Sequence, residues 1–134
     1  MAASLAVGDS DEVQLRASVS RAYYAAFHSV LPLVQQFPRS KTCPKEVGHV
    51  THKELTSRLN EWQTDSVHPK LARMTTTRNT LLNAIELARA ARVKADYMLG
   101  TDVDLAQAIA QVNRARRIIQ AMAQIEGELK RPAA

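Results

Sequence analysis

Apolar residues recur along this chain at spacings of three and four, over stretches long enough for several turns of helix. Residues 1–8 allow a turn or two before Gly8 breaks the pattern, and Asp9 with Glu12 then offers a helix start, with acid at the positive end of the dipole. A long helix is expected over residues 10–36, with Val13, Ala17, Tyr24, Phe27, Leu31 and Val34 as its core face. Pro32 inside it lacks an N–H and crowds the carbonyl of His28, which predicts a kink. Phe37 and Pro38 end the helix, and residues 39–47, with Cys43 and Pro44, show no periodicity and read as an exposed loop. A second helix is expected over residues 51–63, burying Leu55, Leu59 and Trp62, followed by a connection at residues 64–66.

Pro69 suits the first position of a third helix, which should reach the low nineties with Leu71, Met74, Leu81, Leu82, Ile85 and Ala88 inward. Thr75, Thr76 and Thr77 weaken it locally, because β-branched side chains lose rotamer freedom in a helix. After Gly100, Thr101 and Asp104 resemble a capping arrangement opening a last helix over residues 102–126. Its stripe is expected to be Leu105, Ile109, Val112, Ile119 and Met122, with Gly127 closing it.

Composition agrees with an all-α fold: hydrophobic residues make up 46%, with only 4 Gly and 5 Pro in 134 residues. That length fits one domain, 1–134, with 1–9 and 127–134 frayed. Eighteen basic against thirteen acidic residues give a net charge of +5, which suits a polyanionic partner. A single cysteine, Cys43, excludes an internal disulfide and fits a reducing compartment. With no basic leader and no apolar run of membrane-spanning length, a cytoplasmic location is expected.

Candidate chemistry concentrates in Ser20-Arg21-Ala22-Tyr23-Tyr24-Ala25-Ala26-Phe27-His28, which sets the only adjacent aromatic pair beside a cation and an imidazole. On a helix Arg21, Tyr24 and His28 fall within about 60° of one another, forming one polar strip. This stretch, followed in order by Arg92-Val93-Lys94-Ala95-Asp96-Tyr97, closely resembles the HEPN family of small helical bundles. The match is to the branch with Arg-Ala-Tyr-Tyr-Ala-x-Phe-His and Arg-x-x-Ala-Asp-Tyr motifs, over roughly residues 12–122.

That resemblance implies an antiparallel bundle of four or five helices that dimerises. The family includes ribonucleases, toxins, defence proteins and partners of minimal nucleotidyltransferases. Active relatives cut RNA without metal, using an arginine and a histidine separated by four to six residues, brought together from two subunits. Here the matching segment starts at Arg92 and places Tyr97 and Met98 where that histidine falls. The resemblance therefore implies RNA as partner, a homodimer, and an antitoxin or nucleotidyltransferase as protein partner, with no cofactor.

Metal-free RNA cleavage needs a base for the 2′-hydroxyl, an acid for the leaving oxygen and a cation for the phosphorus centre. Arg92 can supply the cation, and a phenol such as Tyr97, ordinarily with a pKa of about 10, is a poor base at neutral pH. An imidazole ordinarily titrates in the right range, and Arg21 with His28 satisfies the family spacing, so a composite site of Arg21, His28, Arg92 and Tyr97 is one expectation. The structural alternative pairs Arg21 with Asp96 across the bundle, burying the rings of Tyr24 and Tyr97, or pairs Arg92 with Asp96 along one helix. Arg78 and Arg89, with Arg92, either line a phosphate cleft or cover the core edge with their stems. Arg114, Arg116 and Arg117 read as a solvated face. His49, His52 and His68 have no accompanying cysteine pair or carboxylate cluster, so no metal site is expected.

Overall fold

The computed structural model describes residues 2–41, 50–62 and 69–131. Within them the chain is all-α: α1, Ala2–Val34; α2, His52–Glu61; a short 3-10 helix, Pro69–Arg73; α3, Thr75–Tyr97; and α4, Leu105–Lys130. Most of the expected loop at 39–47, the connection at 64–66, Cys43, His49 and His68 lie outside the described residues.

α1 passes through Gly8, where the sequence predicts a break. A glycine inside a helix costs only about 1 kcal/mol relative to alanine, and the run around it is rich in strong helix formers. The helix ends two residues after Pro32, and its final carbonyls are taken up by tight turns, Gln36 N–H to Leu33 and Phe37 N–H to Val34, each 3.0 Å. Thr51 caps α2, its hydroxyl accepting from Glu54 N–H at 3.2 Å. Asp104, rather than Thr101, caps α4 in a reciprocal box with Gln107. α4 also runs through Gly127 to Lys130.

The bundle is not antiparallel throughout. Contacts from Arg16 to Ala95, Ser20 to Asp96 and Tyr24 to Arg92 set α3 against the direction of α1. Contacts from Glu12 to Val103 and Val19 to Gln111 carry α4 the same way as α1. α2 also rises with α1, from Tyr23 and His52 to Phe37 and Trp62.

The third helix starts at Thr75 and not at Pro69, which opens a separate 3-10 turn, but the core faces of α2, that turn and α3 are those the spacing predicts. Leu55, Leu59, Trp62, Leu71, Leu81, Ile85 and Ala88 are buried, with Met74 and Leu82 packed against them. In α1 and α4 the core face is rotated by about one residue. α1 buries Val19, Tyr23, Ala26, Val30 and Leu33, together with Val34 as expected, leaving Val13 67% and Tyr24 42% exposed. α4 buries Ala108, Gln111, Ala115, Ile118, Met122 and Ile125, leaving Leu105, Ile109 and Ile119 outside. Both helices carry apolar residues on two sides, and the side with small alanines lets the helix axes approach closely. Gln111 is fully buried where three helices meet, donating to the carbonyls of Ala88 at 2.8 Å and Val19 at 3.3 Å. A buried amide satisfied in this way ties α4 to α1 and α3.

Candidate functional site

The site begins with the clamp that fixes the end of α3. Arg16, on α1, donates to the carbonyls of Lys94 (3.2 Å), Ala95 (2.9 Å) and Thr101, and pairs with Glu12 at 3.1 Å. Its charge lies at the negative end of the α3 dipole, satisfying carbonyls that the helix leaves open. Glu12 in turn accepts from the Val103 N–H at 3.1 Å, and this bond, then Arg16, holds its carboxyl below the usual carboxylate range. The last turn of α3 is thereby pinned beside the middle of α1.

That pinning brings Arg92 into a ring of tyrosines. Its guanidinium carbon lies 5.2 Å from the centre of the Tyr24 ring, 5.4 Å from that of Tyr97 and 5.9 Å from that of Tyr23. Its Nε is 2.9 Å from Asp96 Oδ2, and its Nη2 donates to the Tyr97 hydroxyl at 3.3 Å. Ser20 reaches across from α1 to the same Asp96 oxygen at 3.3 Å. Burial works against the charge on Arg92, yet Tyr24, Tyr97 and Asp96 outweigh it and raise its pKa above the ordinary value. Two of the three rings remain open to solvent, Tyr97 at 67% and Tyr24 at 42%.

Beneath this cage lies a chain of hydrogen bonds through three elements. The Tyr23 hydroxyl is 2.7 Å from His52 Nδ1, and His52 Nε2 is 2.7 Å from Glu86 Oε1. Burial pushes the Tyr23 phenol up to about 12, with Arg89 and Arg92 opposing. Burial likewise lowers the His52 pKa, outweighing the pull of Glu86. A neutral imidazole suits both contacts, with Nδ1 accepting from Tyr23 and Nε2–H donating to Glu86. Spacing considers His52 only as a metal ligand, Tyr23 stands out only as half of the adjacent aromatic pair, and Glu86 does not stand out in the sequence. The Thr51 cap fixes where α2 starts, and is the one local signal for where His52 points.

The structure thus gathers Arg92, Tyr97, Tyr24 and Asp96. Asp96 pairs with Arg92 along α3, while Arg21 is exposed on α1. His28 is exposed too, its ring edge-on to Phe27 at 5.7 Å between centres. Arg89 is exposed one turn before Arg92, on the side of Tyr23 and His52. Arg78 donates to the Asn60 carbonyl at 2.8 Å, closing the C-terminal end of α2. It lies fourteen residues before Arg92, about 21 Å along the helix, so the two do not line one cleft. Among the described residues no three His, Cys, Asp or Glu side chains gather as a metal site would require, and no helix is long and apolar enough to cross a membrane. No family model, curated protein or solved structure matches this chain.

Proposed function

We propose that this is an HEPN-like, RNA-directed domain that holds a single-stranded segment of RNA at the Arg92 centre without cutting it. The observation that carries the reading is a guanidinium held among three tyrosine rings, two of them facing solvent. Exposed rings offer stacking surfaces to unpaired bases, worth about 1–3 kcal/mol per base. Arg21 and Arg89, exposed on α1 and α3, offer positive charge for phosphate contacts. The ordered pair of motifs at residues 20–28 and 92–97 supports the HEPN-like assignment, and with it work beside a companion protein such as an antitoxin or nucleotidyltransferase in a defence setting.

Among the described residues, the surroundings of two imidazoles favour binding over cutting. His52 has both ring nitrogens engaged, by Tyr23 and Glu86, so it has no free lone pair to take a 2′-hydroxyl proton. Tyr23 holds its own proton more tightly than an ordinary phenol. His28 packs on Phe27, out on the α1 surface. The test is to incubate the full chain with fluorescent single-stranded RNA in chelator. RNA should remain intact while its anisotropy rises, with an affinity that falls as salt increases, by a slope of about −0.7 per neutralised phosphate. Cleavage in chelator would replace binding with the ribonuclease reading, and absence of binding at low salt would remove RNA altogether.

A further inference from the structure

Leu87, Ala90 and Ala91 of α3 and Ala106 and Ala110 of α4 line a groove of about 490 Å³, with the buried Val103 among its walls. Small side chains on both helices leave it smooth, and among the described residues no aromatic ring lines it. Its polar lining is Lys94, Asp104, Gln107 and Arg114. Asp104 and Gln107 are engaged with each other in the reciprocal cap of α4. Lys94 stands at that same end, since Arg16 holds the Lys94 carbonyl while its partner Glu12 holds the Val103 N–H. That end carries both signs. Arg114 stands at the other end, one turn past Gln111, which bonds the Ala88 carbonyl, and among the described residues no acid lines the groove there.

We propose that this groove binds a free straight-chain fatty acid of medium length, its carboxylate on Arg114 and its chain along the alanines towards Val103. The buried amide of Gln111 prepares the cation. Its NH2 group is held by the Ala88 and Val19 carbonyls, and its oxygen accepts from Arg114 Nη1 at 3.2 Å. The opposite edge of the guanidinium, Nε with Nη2, has no bond to any described residue and offers the two-toothed fork that a carboxylate fits. One uncompensated cation on an apolar lining selects a monoanion with an apolar body, as small-molecule sites do. The lack of rings removes stacking as a means of holding a flat ligand. From Leu87 to Lys94 the groove runs about 10 Å along α3, which suits a chain of the length of octanoate. Lys94 lies two residues from Arg92, about 200° around the helix, so the groove opens away from the tyrosine cage and does not rest on RNA binding.

Calorimetric titration of the full chain with straight-chain carboxylates, each kept below its aggregation concentration, tests the assignment. Affinity should rise about two- to fourfold per added methylene from hexanoate to decanoate and level off by dodecanoate, where the chain outruns the groove. Arg114→Gln should weaken octanoate binding at least about tenfold, the loss expected for a charged contact, and leave octanol binding unchanged. Ala90→Phe, at an exposed position on the groove wall, should abolish binding of both with helical circular dichroism unchanged. Where a variant fails to fold, the wild-type chain still decides, because octanoate should bind at least about tenfold more tightly than the less polar octanol. Absence of octanoate binding, octanol bound as tightly as octanoate, affinity that keeps climbing beyond dodecanoate, or binding indifferent to a folded Ala90→Phe would each overturn the proposal.

Discussion

Replacing Arg92 tests what holds α1 to the end of α3. Three ring contacts, each worth about 0.5–1 kcal/mol for a partly exposed pair, give about 1.5–3 kcal/mol, and the Asp96 pair along the helix adds about 0.3–0.5 kcal/mol. Arg92→Ala should therefore cost about 2–3 kcal/mol, lowering Tm by about 10 °C for a domain of this size. Asp96→Asn removes the ion pair but keeps the rings around the guanidinium, and should cost about 0.5 kcal/mol. Arg92→Lys keeps the charge but not the flat face that three rings can share, so it should fall between the two. Urea unfolding of the three variants, read by circular dichroism, supplies the comparison. If Asp96→Asn costs as much as Arg92→Ala, the ion pair along α3 and the Ser20 bond to Asp96, not the tyrosine cage, carry the stability. If Arg92→Ala costs nothing, neither does.

Two further outcomes follow from the same geometry. Because burial holds the His52 pKa below its ordinary value, the unfolded chain takes up that proton first; the stability is present above about pH 6.5 and declines as pH falls below it. Urea midpoints measured down to about pH 5.5 should fall less steeply in His52→Phe than in wild type. Asp104→Ala removes the side-chain acceptor of the α4 capping box, in which it takes the Gln107 N–H at 2.8 Å, and should cost about 1 kcal/mol in the same assay.

The parts of the fold legible in the sequence are those where one face alone is apolar. α2 meets that condition and α3 nearly does, with Leu87 its outlying aliphatic, and Leu55, Leu59, Leu81, Ile85 and Ala88 are all buried as their spacing predicts. α1 and α4 do not. Val13 and Tyr24 compete with Val19 and Tyr23, and Leu105 and Ile109 compete with Ala108 and Gln111, so periodicity cannot say which side faces in. The side that faces in carries the buried alanines Ala26, Ala108 and Ala115, small residues whose burial depends on the partner helix and not on local pattern. Gln111 looks like a surface residue until two carbonyls from other helices surround it.

At the site the same division appears. The Arg92 and Asp96 pair is local, four residues apart on one helix, and can be read directly. Tyr97 lies five residues beyond Arg92 on α3, but the approach of Tyr24 joins separate helices, which no spacing rule does. The chain from Tyr23 through His52 to Glu86 spans α1, α2 and α3, and its members are 29 and 34 residues apart. Only assembly of the bundle brings them together.

The central claim, that RNA is held at the exposed tyrosines around Arg92, is tested most directly by ultraviolet cross-linking of bound single-stranded RNA, with the modified residues located by mass spectrometry. Adducts on Tyr97 and Tyr24, lost when RNA is displaced by salt, are the predicted result. Adducts confined to the segment around Arg114, Arg116 and Arg117, with both tyrosines unmodified, would contradict it.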